Sequence, residues 1–146
     1  MSEEIKLPFD KFQAGVSLCK EILEALAEER KKTPFTNLKK KLSKQLNIRY
    51  THTEFEIVLA HVNRDSWTQH RIILTAIVPC RGGVPGSRFW YQAKELGAIL
   101  FYPEEDDWGL RRSLARQLSE AVYNHYSRLK QIKTIDLRNS KAPALF

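Results

Sequence analysis

A chain of 146 residues, 42% hydrophobic and 28% charged, has the length and composition of one globular domain, which excludes wholesale disorder. Its net charge of +7 draws it towards polyanions by long-range electrostatics. Two cysteines, Cys19 and Cys80, are too few for a disulfide framework and form no CxxC pair, so a reducing, cytoplasmic setting is expected. Residues 1–6 carry no apolar leader, and the longest apolar run, Ile72 to Pro79, is too short to span a bilayer, so neither a signal peptide nor a membrane partner is expected.

The first helix is expected from about Asp10 to Lys32, with Asp10 and Gln13 spaced as in a capping box. Phe12, Val16, Cys19, Leu23 and Leu26 step by four and three, a seam that faces a core or a second copy of the chain. Thr33-Pro34 opens a second helix, a capping hydroxyl followed by proline at the first helical position. Its stripe is Leu38, Leu42 and Leu46, with Lys39, Lys40, Lys41 and Lys44 between. Asn47-Ile48-Arg49-Tyr50 breaks the pattern. Thr51 or Thr53 caps a third helix, whose stripe is Phe55, Val58, Leu59 and Val62 and which continues to about Asp65.

Then the period changes. The continuous β-branched, apolar run Ile72 to Val78 predicts a buried strand. Cys80 to Arg88 is the chain's glycine-rich loop. Phe89 to Leu96 suits a short helix closed by Gly97, and Ala98 to Tyr102 a second short strand stopped by Pro103. The acidic run Glu104 to Asp107, favoured by the helix dipole, opens a long helix from about Asp106 to Lys133. Its stripe runs from Leu110 or Arg111 through Leu114, Leu118, Ala121, Val122, Tyr126 and Leu129. Residues 134–146 have no period and read as a loosely held tail.

Helix, four-residue break, helix resembles the length pattern of a helix-turn-helix, without the usual glycine in the turn. Three helices followed by strand, loop and strand resemble a winged-helix module, with a helix between the two strands. The fold expected is therefore α+β, mostly helical and winged-helix-like over residues 1–133: three N-terminal helices, a small β element with a glycine-rich loop, and a long C-terminal helix. The segment Thr75 to Gly97 also resembles a pattern in small uncharacterised bacterial or phage proteins, which implies no particular activity.

The helix-turn-helix resemblance implies a role for each basic residue. Lys39, Lys40, Lys41, Lys44 and Arg49 would contact the phosphate backbone. Asn63 and Arg64, facing outward with His52, Glu54, Glu56 and His61, would reach adenine and guanine edges in a groove. Glu54 and Glu56 oppose that role, because phosphates repel them. Arg81 and Arg88 flank Gly-Gly-Val-Pro-Gly-Ser, whose backbone N–H groups can face an anion, as a wing tip would. Neither GxxxxGK[ST] nor GxGxxG occurs. The four histidines lack metal-ligand spacing, and Pro79-Cys80-Arg81 resembles the Pro-Cys-His-Arg of alkyltransferases without its histidine. No enzyme activity, metal or cofactor is expected. The expected function is non-catalytic binding of nucleic acid, duplex DNA above all, in a regulatory or accessory role. The alternative is an adaptor, such as a phage or mobile-element protein gripping a host enzyme or larger complex through the Phe12–Leu26 seam or the Trp108/Tyr123 region. Homodimerisation through the same seam is compatible with either.

Overall fold

The first helix, α1, spans Phe9–Glu28 and packs against four neighbours: α2 (Phe35–Leu46), α3 (His52–His70), α5 (Trp108–Ser140) and a buried segment that precedes α4 (Ser87–Leu96). The computed structural model describes residues 7–140, with side chains to Ile135. Among the described residues there is no β-strand; the two short elements between α3 and α4, Leu74–Ile77 and Arg81–Gly83, are single turns of 3₁₀ helix. The α+β, winged-helix-like expectation is thereby overturned. The described residues are all-helical and form no wing. No helix among the described residues is long and apolar enough to cross a membrane.

The seam of α1 is a core seam: Phe12, Val16, Cys19, Leu23 and Ala27 are all buried within this chain. No side chain caps the helix, so Asp10 and Gln13 form no capping box. It ends at Glu28 rather than near Lys32, and Arg30 turns the chain at φ 56°. The second helix starts one residue late for a Thr33 cap. Pro34 is its N-cap, and Asn47, at φ 52°, supplies the left-handed residue that ends it. The third helix has the expected Thr51 start. Thr51 Oγ1 accepts from the Glu54 N–H (3.1 Å), and the Glu54 carboxylate accepts from the Thr51 N–H (2.9 Å), a complete capping box.

The run expected to be the first strand is buried throughout, from Ile72 to Val78, as its composition demands. Its backbone groups find partners other than a neighbouring strand. Asn63 and Ser66, on the inner face of α3, reach into it: Asn63 Oδ1 accepts from the Thr75 N–H (2.9 Å), Ser66 Oγ accepts from the Leu74 N–H (3.2 Å), and the same hydroxyl donates to the Ile72 carbonyl (2.8 Å). Internal 3₁₀ bonds join Ala76 to Ile73 and Val78 to Thr75. The α1–α2 connection completes the set, the Thr33 N–H donating to the Ile77 carbonyl and the Phe35 N–H to the Pro79 carbonyl. A continuous apolar run specifies burial but not hydrogen-bond partners, and here helix side chains supply them.

The second expected strand, Ala98–Tyr102, is an exit from α4. Gly97 sits at φ 87° and the Ala98 N–H donates back to the Ala93 carbonyl (2.8 Å), a helix-ending pattern that leaves Leu100 and Phe101 exposed. The last helix begins at Trp108, with Asp107 Oδ1 accepting from the Leu110 N–H (3.0 Å). It packs Ala115, Val122, Tyr123 and Tyr126 inward and continues through the segment that reads as a tail, as far as Ser140; residues 141–146 lie outside the described residues.

Candidate nucleic-acid interface

The apolar stripe of α2 decides where its lysines go. Leu38 and Leu42 are buried and Leu46 half-buried, so the residues between them turn outward on two flanks. On one flank Lys39, Lys40 and Lys44 join Arg49, from the turn after the helix, around a groove of about 670 Å³. Thr36, Ser43 and Asn47 add polar rims, and Ile48 and Tyr50 form part of its wall. No carboxylate lines the groove, and none of the four cations is ion-paired among the described residues. The other flank is different: Lys41 lies against α1, over a shallow hollow that also holds Glu21 and Glu29.

Arg49 owes its place to the residues on either side. Asn47 reverses the chain, the Ile48 N–H donates to the Ser43 carbonyl (3.1 Å), and Ile48 and Tyr50 are both buried, pinning the turn while Arg49 projects outward. Tyr50 is inserted against α1 where Gly15 has no side chain; a Cβ there would strike the Tyr50 hydroxyl. Tyr50 Oη is buried without a hydrogen-bond partner among the described residues, and burial raises its pKa above the ordinary tyrosine value.

The remaining expected contacts are dispersed. Asn63 is not an outward base reader. It is 2% exposed, donates through Nδ2 to Thr75 Oγ1 (2.7 Å) and to Gln92 Oε1 (3.0 Å), and holds the buried 72–78 segment. Glu54 is likewise buried, spent on the capping box. Arg64 is exposed on α3, outside the groove. Arg88 at the start of α4 pairs with Glu56 (Nε to Oε1, 3.1 Å), which His52 also approaches at 3.6 Å. Burial raises the Glu56 pKa, and the neighbouring His52 offsets part of that rise. Arg81 lies in the glycine turn beside Trp108 and Arg111, in a separate hollow. Arg111 has a larger structural part than its sequence context suggests: it is 4% exposed, on the buried face that its spacing to Leu114 and Leu118 marks.

The thiol of Cys80 is half-buried. Desolvation raises its pKa, and the Gly86 N–H that donates to the sulfur offsets this only in part, so the thiol is protonated at neutral pH and a poor nucleophile. Among the described residues no three His, Cys, Asp or Glu side chains come together to hold a metal ion. Compared with known protein families, curated proteins and solved structures, the chain matches none.

Proposed function

We propose that the protein binds nucleic acid without catalysis, duplex DNA through its phosphate backbone, and acts as a regulatory or accessory component. The observation that carries this reading is the groove beside α2, where four cations converge and no acidic side chain neutralises them. Such a surface gains by releasing the counterions condensed on a polyanion. Base-specific reading by α3 is not part of the proposal, because Asn63 is committed to the core.

The test is fluorescence anisotropy of a random 30-base-pair duplex across a salt series, with Lys40→Glu/Lys44→Glu beside the parent chain. Four phosphate contacts predict a loss of roughly 100-fold in affinity between 50 and 200 mM salt. The double charge reversal should abolish binding while the protein melts normally, since both side chains are exposed. Absence of binding at low salt, or equal binding by the variant, would overturn the proposal.

One observation favours an adaptor as the second reading. Tyr91 stacks on Tyr102 with ring centroids 4.2 Å apart, and Leu100 and Phe101 stand exposed next to them. This apolar surface, rather than the Phe12–Leu26 seam or buried Tyr123, is what a protein partner would cover.

A further inference from the structure

Away from the groove, the glycine turn after Cys80 and the start of α5 line an open hollow of about 260 Å³. One water needs only about 10–15 Å³ of space on this measure, so the hollow admits a small ligand. Arg81, Ser87, Glu105, Trp108 and Arg111 line it. Gly82, at φ 75°, lies under the Trp108 ring so closely that a Cβ would collide with it, which brings turn and helix together as two walls.

Arg111 is the anomaly. A guanidinium 4% exposed should have a carboxylate partner, because a buried unpaired charge is costly. It forms no ion pair among the described residues. Its Nη2 donates to Tyr102 Oη (3.2 Å) and to the Pro103 carbonyl (3.0 Å), and the guanidinium lies over the Trp90 and Tyr102 rings at 5.7 and 5.5 Å. These contacts fix its plane and the rings offset part of its charge, but they supply no counter-ion, while its Nε is buried with no acceptor among the described residues. The second wall adds donors of the same kind. The N-terminus of α4, with Gly86 as N-cap, has no side-chain cap, and Arg81 is exposed at the mouth.

We infer that this hollow is a phosphate-ester site: Arg111 is the fixed, desolvated donor, the first turn of α4 supplies backbone N–H groups and the positive end of a helix dipole, and Arg81 closes over the anion from solvent. Glu105, exposed at the rim, would repel a bare anion but can accept from a hydroxyl beside the phosphate. That favours the monoester of a polyhydroxy compound over inorganic phosphate. The site is separate from the groove and does not depend on the DNA-binding proposal.

The experiment titrates the full chain with ribose 5-phosphate and with inorganic phosphate, at constant ionic strength set with chloride, following tryptophan emission. Trp108→Phe assigns the signal. A saturable change is expected, tighter for the ester. Arg81→Gln, an exposed change that leaves the fold intact, should weaken it about 10-fold, the loss of one charge-assisted hydrogen bond. Arg111→Gln should abolish it, and Lys40→Glu/Lys44→Glu should leave it unchanged even if DNA binding fails. A response no different from that of chloride, or an unaltered affinity in Arg81→Gln, would overturn the inference. Competition by an oligonucleotide bearing a 5′-phosphate, but not by its unphosphorylated twin, would give a strand end as the source of the ester; competition by neither would give a free phosphorylated metabolite.

Discussion

Gly15 and Tyr50 lie far apart in sequence, yet each explains the other. The tyrosine ring occupies the space that a side chain on α1 would take, and it anchors the turn carrying Arg49. Gly15→Ala sets two effects against each other: alanine gains about 1 kcal/mol of helix propensity over glycine, whereas overpacking a fixed contact costs about 1–3 kcal/mol. A net loss of up to about 2 kcal/mol is expected in urea denaturation. Tyr50→Phe removes a buried hydroxyl that has no partner and should be neutral or slightly stabilising. Because the hydroxyl is the atom in the way, the double variant should recover most of the loss. Strict additivity of the two changes would show that the contact is not the cause. Nothing in the sequence couples these two positions, since a glycine on the seam side of an amphipathic helix looks like a mere propensity defect. The outward turn of Lys40 and Lys44 was legible, because the Leu38–Leu42–Leu46 stripe fixes which way they face, whereas Arg49 depends on the turn that buried Ile48 and Tyr50 pin.

At the level of elements, the helices were legible and the strands were not, for one reason. Helix periodicity and caps are local, and Thr51 with Glu54 three residues on was enough to set the start of α3. A strand is defined by a partner, and the run Ile72 to Val78 says nothing of what its N–H groups meet. Asn63 held the missing information. Beside Val62, and three residues before Ser66 on the inner face of α3, it is better placed for a backbone partner than for DNA. Asn63→Ala leaves the Thr75 N–H buried without an acceptor and should cost about 1–3 kcal/mol. Ser66→Ala should do the same through Leu74. Neither should change the DNA affinity of the folded fraction. A loss of affinity with undiminished stability in Asn63→Ala would restore the base-reading role that its burial rules out.

The whole molecule places its titratable groups so that stability is bounded on both sides of neutrality. Burial lowers the pKa of His125, with His70 (ring centroids 4.5 Å apart) and Arg128 pressing the same way and Glu24 opposing; burial and Arg64 lower that of His61, against Asp65. A histidine depressed in the fold binds fewer protons there than in the unfolded chain. Its stabilising contribution is whole above the ordinary value of 6.5 and is lost as pH falls through the lowered one. The alkaline side follows from the opposite shift. Desolvation pushes the Cys19 thiol up from 9.0 to about 12, and burial together with the Glu24 hydrogen bond (2.8 Å) raises the Tyr126 phenol. For both groups the folded state keeps a proton that the unfolded chain gives up, so stability falls as pH rises past their ordinary values. Glu56 has the sign of the alkaline group, but its window opens at 4.5, below the histidine range. Urea midpoints should therefore form a plateau between about pH 6.5 and 9 and decline on either side. Substituting His125 by Asn should make only the acid limb shallower, leaving the share of His61, whereas Cys19→Ala, despite its cavity, should make only the alkaline one shallower, leaving the share of Tyr126. A midpoint unchanged between about pH 7.5 and 5.5 would mean that the two histidines titrate alike in the folded and unfolded chain, and that the helices around them leave water at their rings.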